Sequence, residues 1–359
     1  MPSKPPPSGY KGRGALSNPA NRFDRQHAES IDDGWFQEAV PSAIPTEVSA
    51  DASRTIISSN DSPDIGFDQS INPYRGCEHG CVFCYARPTH AYLGMSPGID
   101  FETRLTYKPE AAALLRQELA RPGYVCKQIM LGSNTDPYQP IERQFRVTRA
   151  ILEVLAETRH PVSITTRSTL ILRDLDLLAP MAAQGLVSVV YSVTTFDQEL
   201  KRRLEPRSAS SPARLQAIRA LRAEGVPVGV LAAPIIPAVN DSELETILQR
   251  VVDAGATHAG YVLLRLPLEV AELFRQWLDT HMPDRAAHVM SLVQDARGGK
   301  DNTSAFGERM RGTGAWAQLL RDRFRLACRK HGLATGRDVP LDVSQFRPPS
   351  RGGQMDLGI

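Results

Sequence analysis

The chain has 359 residues, of which 42% are hydrophobic and 23% are charged, and its formal net charge is +2. This length and composition support a sizeable core in one large domain or in two, and a net charge so close to zero neither indicates nor excludes a polyanionic partner. No uncharged apolar run is long enough to span a bilayer, and the start MPSKPPPSGYKGRG lacks the apolar stretch of a secretory signal. Five cysteines in so long a chain do not indicate a disulfide framework, so we expect a reducing, cytoplasmic setting.

Residues 1–54 are rich in Pro, Ser, Gly and Ala and show no sustained hydrophobic period. This composition predicts a flexible arm that is mostly disordered or is draped over the following domain. Basic and aromatic residues occur together within it: Lys11, Arg13, Arg22, Tyr10 and Phe23. A basic-aromatic arm can bind nucleic acid, whereas the alternative is a solvated tail that packs an aromatic side chain on the domain.

Short apolar, β-branched runs alternate with amphipathic segments from residue 55 to about residue 290. The predicted strands are residues 69–72, 128–133, 162–166, 187–193, 226–232 and 260–264. The predicted helices are residues 109–120, 144–158, 174–184, 212–224 and 242–254, followed by 269–280, 283–294 and 314–331. The alternation indicates an α/β domain with a parallel sheet covered by helices, and periodicity leaves open whether the sheet is flat or closes into a partial barrel. Residues 291–343 are expected to form a helical extension and residues 344–359 a flexible tail.

The stretch INPYRGCEHGCVFCYARP holds three of the five cysteines, Cys77, Cys81 and Cys84. Structural zinc sites usually need four ligands in paired Cys-x2-Cys units, and no second pair exists, because Cys126 and Cys328 are isolated. Three thiolates can instead hold three irons of a [4Fe-4S] cluster and leave the fourth iron open to a small molecule. The alternative is a set of buried or zinc-binding cysteines.

The residues around these cysteines fit a cluster. Gly76 and Gly80 allow the backbone to wrap the cluster and to direct N–H groups at its sulfurs. Phe83 lies directly before the third cysteine and would shield one face.

With this spacing and an aromatic residue before the last cysteine, residues 65–290 resemble the radical S-adenosylmethionine (SAM) enzymes. The resemblance implies a partial (β/α)6 barrel in which the cluster loop follows the first strand. It also implies that the open iron chelates the amino and carboxylate groups of SAM. The reduced cluster would then give SAM one electron, drawn from a donor such as flavodoxin or ferredoxin, and a 5′-deoxyadenosyl radical would abstract hydrogen from a substrate.

Within this superfamily the chain most resembles the spore photoproduct lyase-like branch. The resemblance depends on NPYRGCEHGCVFCYAR, SNTDPYQPIE, TTRS and YSVTT. Photoproduct lyases have a cysteine directly before the segment that matches Ser133, where this chain has Leu131 and Gly132. We therefore expect a lyase-like relative in DNA repair or modification that does not reverse the photolesion itself and whose substrate is unassigned.

In such a barrel the functional residues lie at the carboxyl ends of the strands. After the second strand, Ser133, Asn134 and Asp136 can hydrogen-bond the ammonium or ribose of SAM, although the same residues would also suit an ordinary Asx-rich turn. After the third strand, Arg167 can pair with the SAM carboxylate. Ser192, after the fourth strand, can reach the ribose.

Further candidates for the SAM site come later in the chain. Arg207 and Arg214 lie near Glu205, so each can either face the SAM carboxylate or form an ion pair within the protein. After the fifth strand, Ile235 and Ile236 offer an apolar ledge suited to adenine. Any one of these residues is equally compatible with an ordinary core or loop position, and their shared place at strand ends favours the site.

The C-terminal part is basic. Between residues 304 and 331 there are seven Arg or Lys residues (Arg309, Arg311, Arg321, Arg323, Arg325, Arg329 and Lys330) against two acids (Glu308 and Asp322). This segment and the arm favour nucleic acid as the substrate, and a solvated charged face is the alternative. The rival class is a non-catalytic iron–sulfur or zinc module that binds nucleic acid. Cys328, on this helix, is expected to be a buried apolar side chain.

The last six residues, Gln354–Ile359, follow a stretch that has no means of packing. The sequence QMDLGI resembles the motif by which bacterial proteins bind the DNA polymerase sliding clamp, with Gln354 for the clamp backbone and Leu357 and Ile359 for an apolar cleft. Gly358 departs from the tightest forms of that motif. The alternative is that the tail folds back and buries Leu357 and Ile359 on its own domain.

Overall fold

Strands and helices alternate through most of the computed structural model, which describes residues 10–24, 43–336 and 339–349. The described strands are β1 Glu47–Ala50, β2 Ser58–Ser59, β3 Gln69–Ile71, β4 Tyr74–Arg75, β5 Arg104–Tyr107, β6 Ile129–Leu131, β7 Val162–Thr166, β8 Val187–Val193, β9 Val228–Ile235, β10 His258–Leu263 and β11 Ala334–Thr335. The described α-helices are α1 Asp100–Thr103, α2 Ala111–Leu119, α3 Glu142–Phe145, α4 Val147–Glu157, α5 Leu175–Ala183, α6 Gln198–Leu204, α7 Ser211–Ala223, α8 Leu244–Asp253, α9 Glu269–His281, α10 Pro283–Asp295 and α11 Gly314–His331. Short 3₁₀ helices cover Arg87–Leu93, Thr169–Asp174 and Asp241–Glu243.

The main sheet has eight strands in the order β11-β10-β9-β8-β7-β6-β3-β2. Neighbours from β3 to β11 are parallel, and β2 pairs antiparallel with β3. The six predicted strands are confirmed as β3 and β6 to β10. Every residue of β8 is buried, as expected for a Val-rich parallel strand that is covered on both faces.

Helices α4, α7 and α8 pack on this sheet. Ile151 of α4, Ile218 of α7 and Leu248 of α8 are fully buried in one core with the strand side chains. All eight predicted helices are confirmed, with ends that differ by a few residues. The sequence did not predict α6, a short helix that begins where the Asp197 carboxylate accepts hydrogen bonds from Glu199 N and Leu200 N.

The main sheet curves into a partial barrel. One cavity of about 410 Å³ is lined by Ser58 of β2 at one edge, by Thr165 and Ser192 in the middle, and by Val262 of β10 near the other edge. Residues from strands so far apart in the sheet meet around one space only if the sheet bends around it. The predicted α/β fold with a partial (β/α)6 barrel is therefore confirmed, and the cavity has the volume of a small-molecule site.

The N-terminal arm is draped over the domain wherever the structure describes it. β1 pairs in parallel with β5, which also pairs antiparallel with β4, so residues 47–50 belong to a small three-stranded sheet beside the barrel. Within residues 10–24, the side chain of Ala15 is fully buried. The draped alternative is therefore correct for these stretches, while residues 1–9 and 25–42 lie outside the described residues.

The C-terminal extension completes the fold. α11 packs on α8, where Arg323 pairs with Glu245 at 2.7 Å, and β11 then adds to the edge of the main sheet beside β10. Beyond it, the ring of Phe346 packs against Tyr124 and His160, with ring centroids 5.4 Å and 5.2 Å away. Residues 344–349 of the predicted flexible tail are thus docked on the domain, because an aromatic side chain fills a site there. The hexapeptide Gln354–Ile359 lies outside the described residues.

No α-helix in the described ranges combines the length and the apolar character needed to cross a membrane.

Candidate active site

The three clustered cysteines lie on a loop that we call the cluster loop, residues 76–87, directly after β4. Its backbone requires glycine at two places. Gly76 has φ +73°, and a Cβ there would lie 2.4 Å from a methyl carbon of Leu105. Gly80 has φ +67°, and a Cβ there would lie 2.8 Å from a carboxylate oxygen of Glu102. A left-handed backbone without room for a side chain permits the tight wrapping that the sequence predicted.

Cys77, Cys81 and Cys84 are free thiols that line the cavity, the first two buried and the third partly exposed. In the described part of the chain, no three His, Cys, Asp or Glu side chains converge on the position of a single metal ion. Three thiols on one loop that line the same cavity suit the three-cysteine binding of an iron–sulfur cluster.

Burial disfavours the charged form of these thiols. It raises the pKa of Cys81 to about 12, although Arg167 acts in the opposite direction. Burial likewise raises the pKa of Cys77 well above its usual value. Such thiols are poor nucleophiles in the metal-free protein, and coordination to a metal would remove their protons.

Gln139 holds the cluster loop from the other side of the site. Its side chain is fully buried, donates to the carbonyl of Gly76 at 3.1 Å, and accepts from the backbone N–H of Glu78 at 2.9 Å. These two bonds flank Cys77 and fix its backbone. The sequence located this residue in a stiff Pro-flanked loop but gave no sign of its role, because its partners lie more than 60 residues away.

Asp136 joins the loop after β6 to the end of β7. Its carboxylate accepts from the Thr166 hydroxyl at 2.7 Å and from the Arg167 N–H at 2.8 Å, and it lies 3.3 Å from Nδ1 of His79. Burial acts to raise the pKa of Asp136, but His79 and these hydrogen bonds outweigh it and lower the pKa below its usual value. Asp136 lines the cavity as predicted, yet much of its hydrogen-bonding capacity already serves the protein.

Arg167 lies where the cluster loop meets the cavity. Its Nη1 is 3.0 Å from Cys81 Sγ and donates to Glu205 at 2.9 Å, and its guanidinium lies 5.7 Å from the ring centre of Phe83. Burial acts to lower the pKa of Arg167, but the surrounding Cys81, Glu205 and Asp136 raise it above its usual value. Arg167 is therefore a cation at the wall of the cavity, beside the thiol of Cys81.

The remaining predicted contacts divide into two groups. Ser133, Asn134 and Ser192 line the cavity, and Asn72, which the sequence did not indicate, organises the first two. Asn72 donates to the Ser133 hydroxyl at 2.9 Å and accepts from the Asn134 N–H at 2.8 Å. Tyr85, also missed, donates from its hydroxyl to the Ser133 carbonyl.

Arg214, Arg207 and Ile235 do not line the cavity. Arg214 is fully buried and donates to Glu205 at 2.6 Å and to the Ser192 carbonyl at 2.7 Å, so it fixes the carboxylate that holds Arg167. Arg207 pairs with Glu78 at 3.1 Å and is partly exposed.

Ile235 was predicted to contact SAM, and the length of β9 explains why it does not line the cavity. β9 extends to this residue, three positions beyond the predicted end of the strand, and its register with β10 shifts between Tyr261 and Leu263. Ile235 therefore faces the core, and the apolar wall predicted there is formed by Leu231, Ala233 and Pro234.

The two isolated cysteines lie away from the cavity. Cys126 precedes β6, at the amino end of the strand and so opposite the cluster loop, and burial raises the pKa of its thiol to about 11. Cys328 is fully buried in the main core, as predicted.

The arm is anchored to the cluster loop through Glu102. The Glu102 carboxylate is fully buried and accepts from the N–H groups of Gly14 at 2.9 Å and Ala15 at 2.8 Å. It also pairs with Arg87, whose Nε donates to the carbonyl of Cys81 at 2.9 Å. A Cβ on Gly14 would lie 1.8 Å from the Gly80 carbonyl oxygen, so the arm touches the cluster loop directly.

Two of the three basic residues that the sequence pointed to in residues 10–24, Arg13 and Arg22, have partners inside the protein. Arg13 is buried and donates to the carbonyls of Glu102 and Ile44 at 2.8 Å and 2.7 Å. Arg22 pairs with Glu269 at 2.9 Å and lies over the ring of Phe23. These contacts account for the charge of Arg13 and Arg22 within the protein.

The basic C-terminal segment is also partly used within the fold. Arg309 pairs with Asp64, Arg323 pairs with Glu245, and Arg311 lies 5.6 Å from the ring centre of Tyr261. These contacts account for part of its charge without any external ligand.

A curved parallel sheet with a three-cysteine loop at the carboxyl ends of its strands defines a class of iron–sulfur enzyme. Residues 71–251 match the radical SAM superfamily, and the chain belongs to it. Its fold agrees, because the structure aligns with spore photoproduct lyase complexed with dinucleoside spore photoproduct at a TM-score of 0.58, with 16% identity over 80% of each chain.

Two proteins are similar to this chain in sequence. An uncharacterised protein of Mycobacterium tuberculosis is 40% identical over 230 residues, which cover 64% of this chain and 68% of that protein. A protein of Pseudomonas phage M6 named radical SAM Nalpha-GlyT isomerase is 23% identical over 251 residues, covering 67% of this chain and 49% of that protein. This chain is thus a radical SAM enzyme with the fold of spore photoproduct lyase.

Proposed function

We propose that this radical SAM enzyme holds a [4Fe-4S] cluster with Cys77, Cys81 and Cys84, binds SAM in the adjoining cavity, cleaves it reductively, and acts on nucleic acid. The observation that carries the proposal is that the three thiols share one cavity with Arg167, Ser133 and Ser192. When bound, the reduced cluster supplies one electron that splits SAM into methionine and a 5′-deoxyadenosyl radical, which abstracts a hydrogen atom from the substrate. A donor such as flavodoxin or ferredoxin is the proposed source of that electron.

The residues of the chain would orient SAM and exclude water. Arg167, held by Glu205, offers its guanidinium to the SAM carboxylate, because a partly buried cation stabilises an anion through charge-assisted hydrogen bonds. Ser133 and Ser192 offer hydroxyls to the ribose and ammonium groups. The apolar wall of Leu231, Ala233 and Pro234 limits the access of water to the reacting carbon.

The proposal of a nucleic-acid substrate is supported by the fold. Spore photoproduct lyase, which shares it, has been solved in complex with dinucleoside spore photoproduct and with bound AdoMet. Leu131 and Gly132 stand in this chain directly before Ser133, where the lyases have a cysteine. We therefore propose a different reaction on nucleic acid, in repair or modification, rather than reversal of that photolesion.

The SAM chemistry is tested with reconstituted, reduced protein. The wild type should release 5′-deoxyadenosine. Arg167→Ala should keep its iron but bind SAM more weakly by about 1.5–3 kcal/mol, the scale of one charge-assisted hydrogen bond. SAM affinity is measured by equilibrium dialysis and product by chromatography.

Two outcomes would count against this proposal. A wild-type protein that binds nucleic acid and never releases 5′-deoxyadenosine would favour the non-catalytic binding module. A folded Arg167→Ala variant with wild-type SAM affinity would remove Arg167 from the carboxylate role. Arg250→Ala is a matched control, since Arg250 lies over Phe196 on the outer surface and does not line the cavity.

Docking on a DNA polymerase sliding clamp through Gln354–Ile359 is a further proposal, motivated by the sequence QMDLGI. Deleting these six residues should leave the cluster and SAM cleavage intact and remove binding to a purified bacterial clamp, measured by surface plasmon resonance. A peptide tail binds weakly because ordering it costs entropy, so the assay must be able to detect low-affinity clamp binding by the full-length protein. Equal clamp binding by both proteins, or none by either, would reject this proposal.

A further inference from the structure

Arg265, just after β10, presents a cation to the cavity. Its Nε is buried and has no hydrogen-bond partner among the described residues. Its Nη1 has only a weak acceptor, the sulfur of Met310 at 3.8 Å, and its guanidinium lies 5.3 Å from the ring centre of Tyr85. No carboxylate of the described chain lies within ion-pair distance of Arg265.

A second arginine, the buried Arg297, increases the positive charge beside the partly buried Arg265. Its side chain donates to the carbonyls of Leu264, Glu308 and Arg309 at 2.8–3.0 Å. It too lacks an acidic partner in the described ranges. Burial lowers the pKa of Arg297 to about 10, and the charge of Arg265 contributes to that shift.

The acid that acts on Arg265 is already paired with another residue. Asp64 forms an ion pair with Arg309, whose Nε donates to its carboxylate at 2.8 Å. Two arginines, Arg265 and Arg309, therefore share one carboxylate on this side of the cavity, and no described carboxylate acts on Arg297. A buried cation without a counter-charge is costly, and a protein normally compensates it with an acid or with an anionic ligand.

We propose that Arg265, backed by Arg297, binds a phosphodiester group of the substrate at the mouth of the cavity. The inference rests on the proposed nucleic-acid function and names the group by which that substrate is held. Arg167 follows β7 and Arg265 follows β10, three strands along the sheet, so the two cations serve different ends of the cavity. Arginine suits the role because its planar guanidinium donates two parallel hydrogen bonds to phosphate oxygens.

The test uses the full chain with its cluster and SAM, a single strand of six thymidines, and the same strand with neutral methylphosphonate linkages. Arg265→Gln should bind the phosphodiester strand about tenfold more weakly or worse. Arg265→Gln should bind the neutral strand with the same affinity as the wild type, because the neutral linkages offer no anionic group to Arg265. Arg265→Lys should recover part of the affinity, and Arg250→Gln should behave as wild type. Affinities are measured by fluorescence anisotropy over a series of salt concentrations.

Each other result overturns the inference in its own way. If Arg265→Gln keeps wild-type affinity while the wild type still prefers the charged strand, another residue binds the phosphate and the nucleic-acid proposal survives. If Arg265→Gln loses SAM affinity instead, its anion is the SAM carboxylate. If the wild type binds neither strand, the nucleic-acid proposal fails and this inference fails with it.

Discussion

Cys81→Ala should lose the visible absorbance of the iron–sulfur cluster completely, and Cys77→Ala and Cys84→Ala should do the same. All three thiols line one cavity, and no fourth cysteine of the described chain lies there. A cluster that depends on three thiolates retains only two after any one substitution. Iron and sulfide analysis of anaerobically reconstituted protein should therefore show little cluster in each variant.

Cys126→Ala is the control for this series. Cys126 is partly exposed at the opposite end of β6, so its removal should leave the absorbance and the iron content unchanged. A Cys81→Ala protein with a full four-iron complement would refute the cluster assignment. A wild type that retains one zinc ion and no iron would point to the rival class of metal-binding module.

Glu102→Gln should lower the free energy of unfolding of the apoprotein by on the order of 3–5 kcal/mol, the usual loss when one partner of a buried ion pair is removed. Both Glu102 and Arg87 have no exposed side-chain surface. The neutral amide would leave the Arg87 guanidinium uncompensated and would weaken the bonds from Gly14 and Ala15. Chemical denaturation measures the stability, and limited proteolysis should show faster cleavage within residues 10–24.

Glu269→Gln gives the matched comparison. Glu269 also anchors the arm, through Arg22, but this pair is partly exposed and an exposed pair contributes about 1 kcal/mol or less. If the two variants were equally stable, Glu102 would not be the main anchor of the arm. If Glu102→Gln lost stability without faster cleavage of the arm, its role would be confined to Arg87.

Sequence reasoning predicted the main sheet and the helices because both carry local signals. β8 and β9 are continuous apolar runs, and α8 is an amphipathic helix that ends before Gly255. The small sheet was missed because β1 is largely exposed and β4 has only two residues, so neither shows a clear alternation. The three cysteines were recognisable because their spacing is itself local.

The lining of the cavity was harder to predict. The sequence does not distinguish Arg167 from Arg214. Arg167 lines the cavity, whereas Arg214 is buried against Glu205, because tertiary packing alone decides where each guanidinium lies. Glu102 and Gln139 gave no signal, since their partners lie at least 60 residues away along the chain. Whether Arg265 had a counter-charge could be judged only once the neighbouring loops were placed.

The contact between the arm and the cluster loop sets an order of assembly. Residues 14 and 15 leave the ribosome before any of their partners exist, and they can bind Glu102 only after residues 76–102 have folded. Gly14 then lies against Gly80 so closely that a closed arm leaves little freedom in the loop. Closure of the arm is therefore a late step of folding, and it holds the cluster loop in place before any cluster would be inserted through the cavity that the three thiols line.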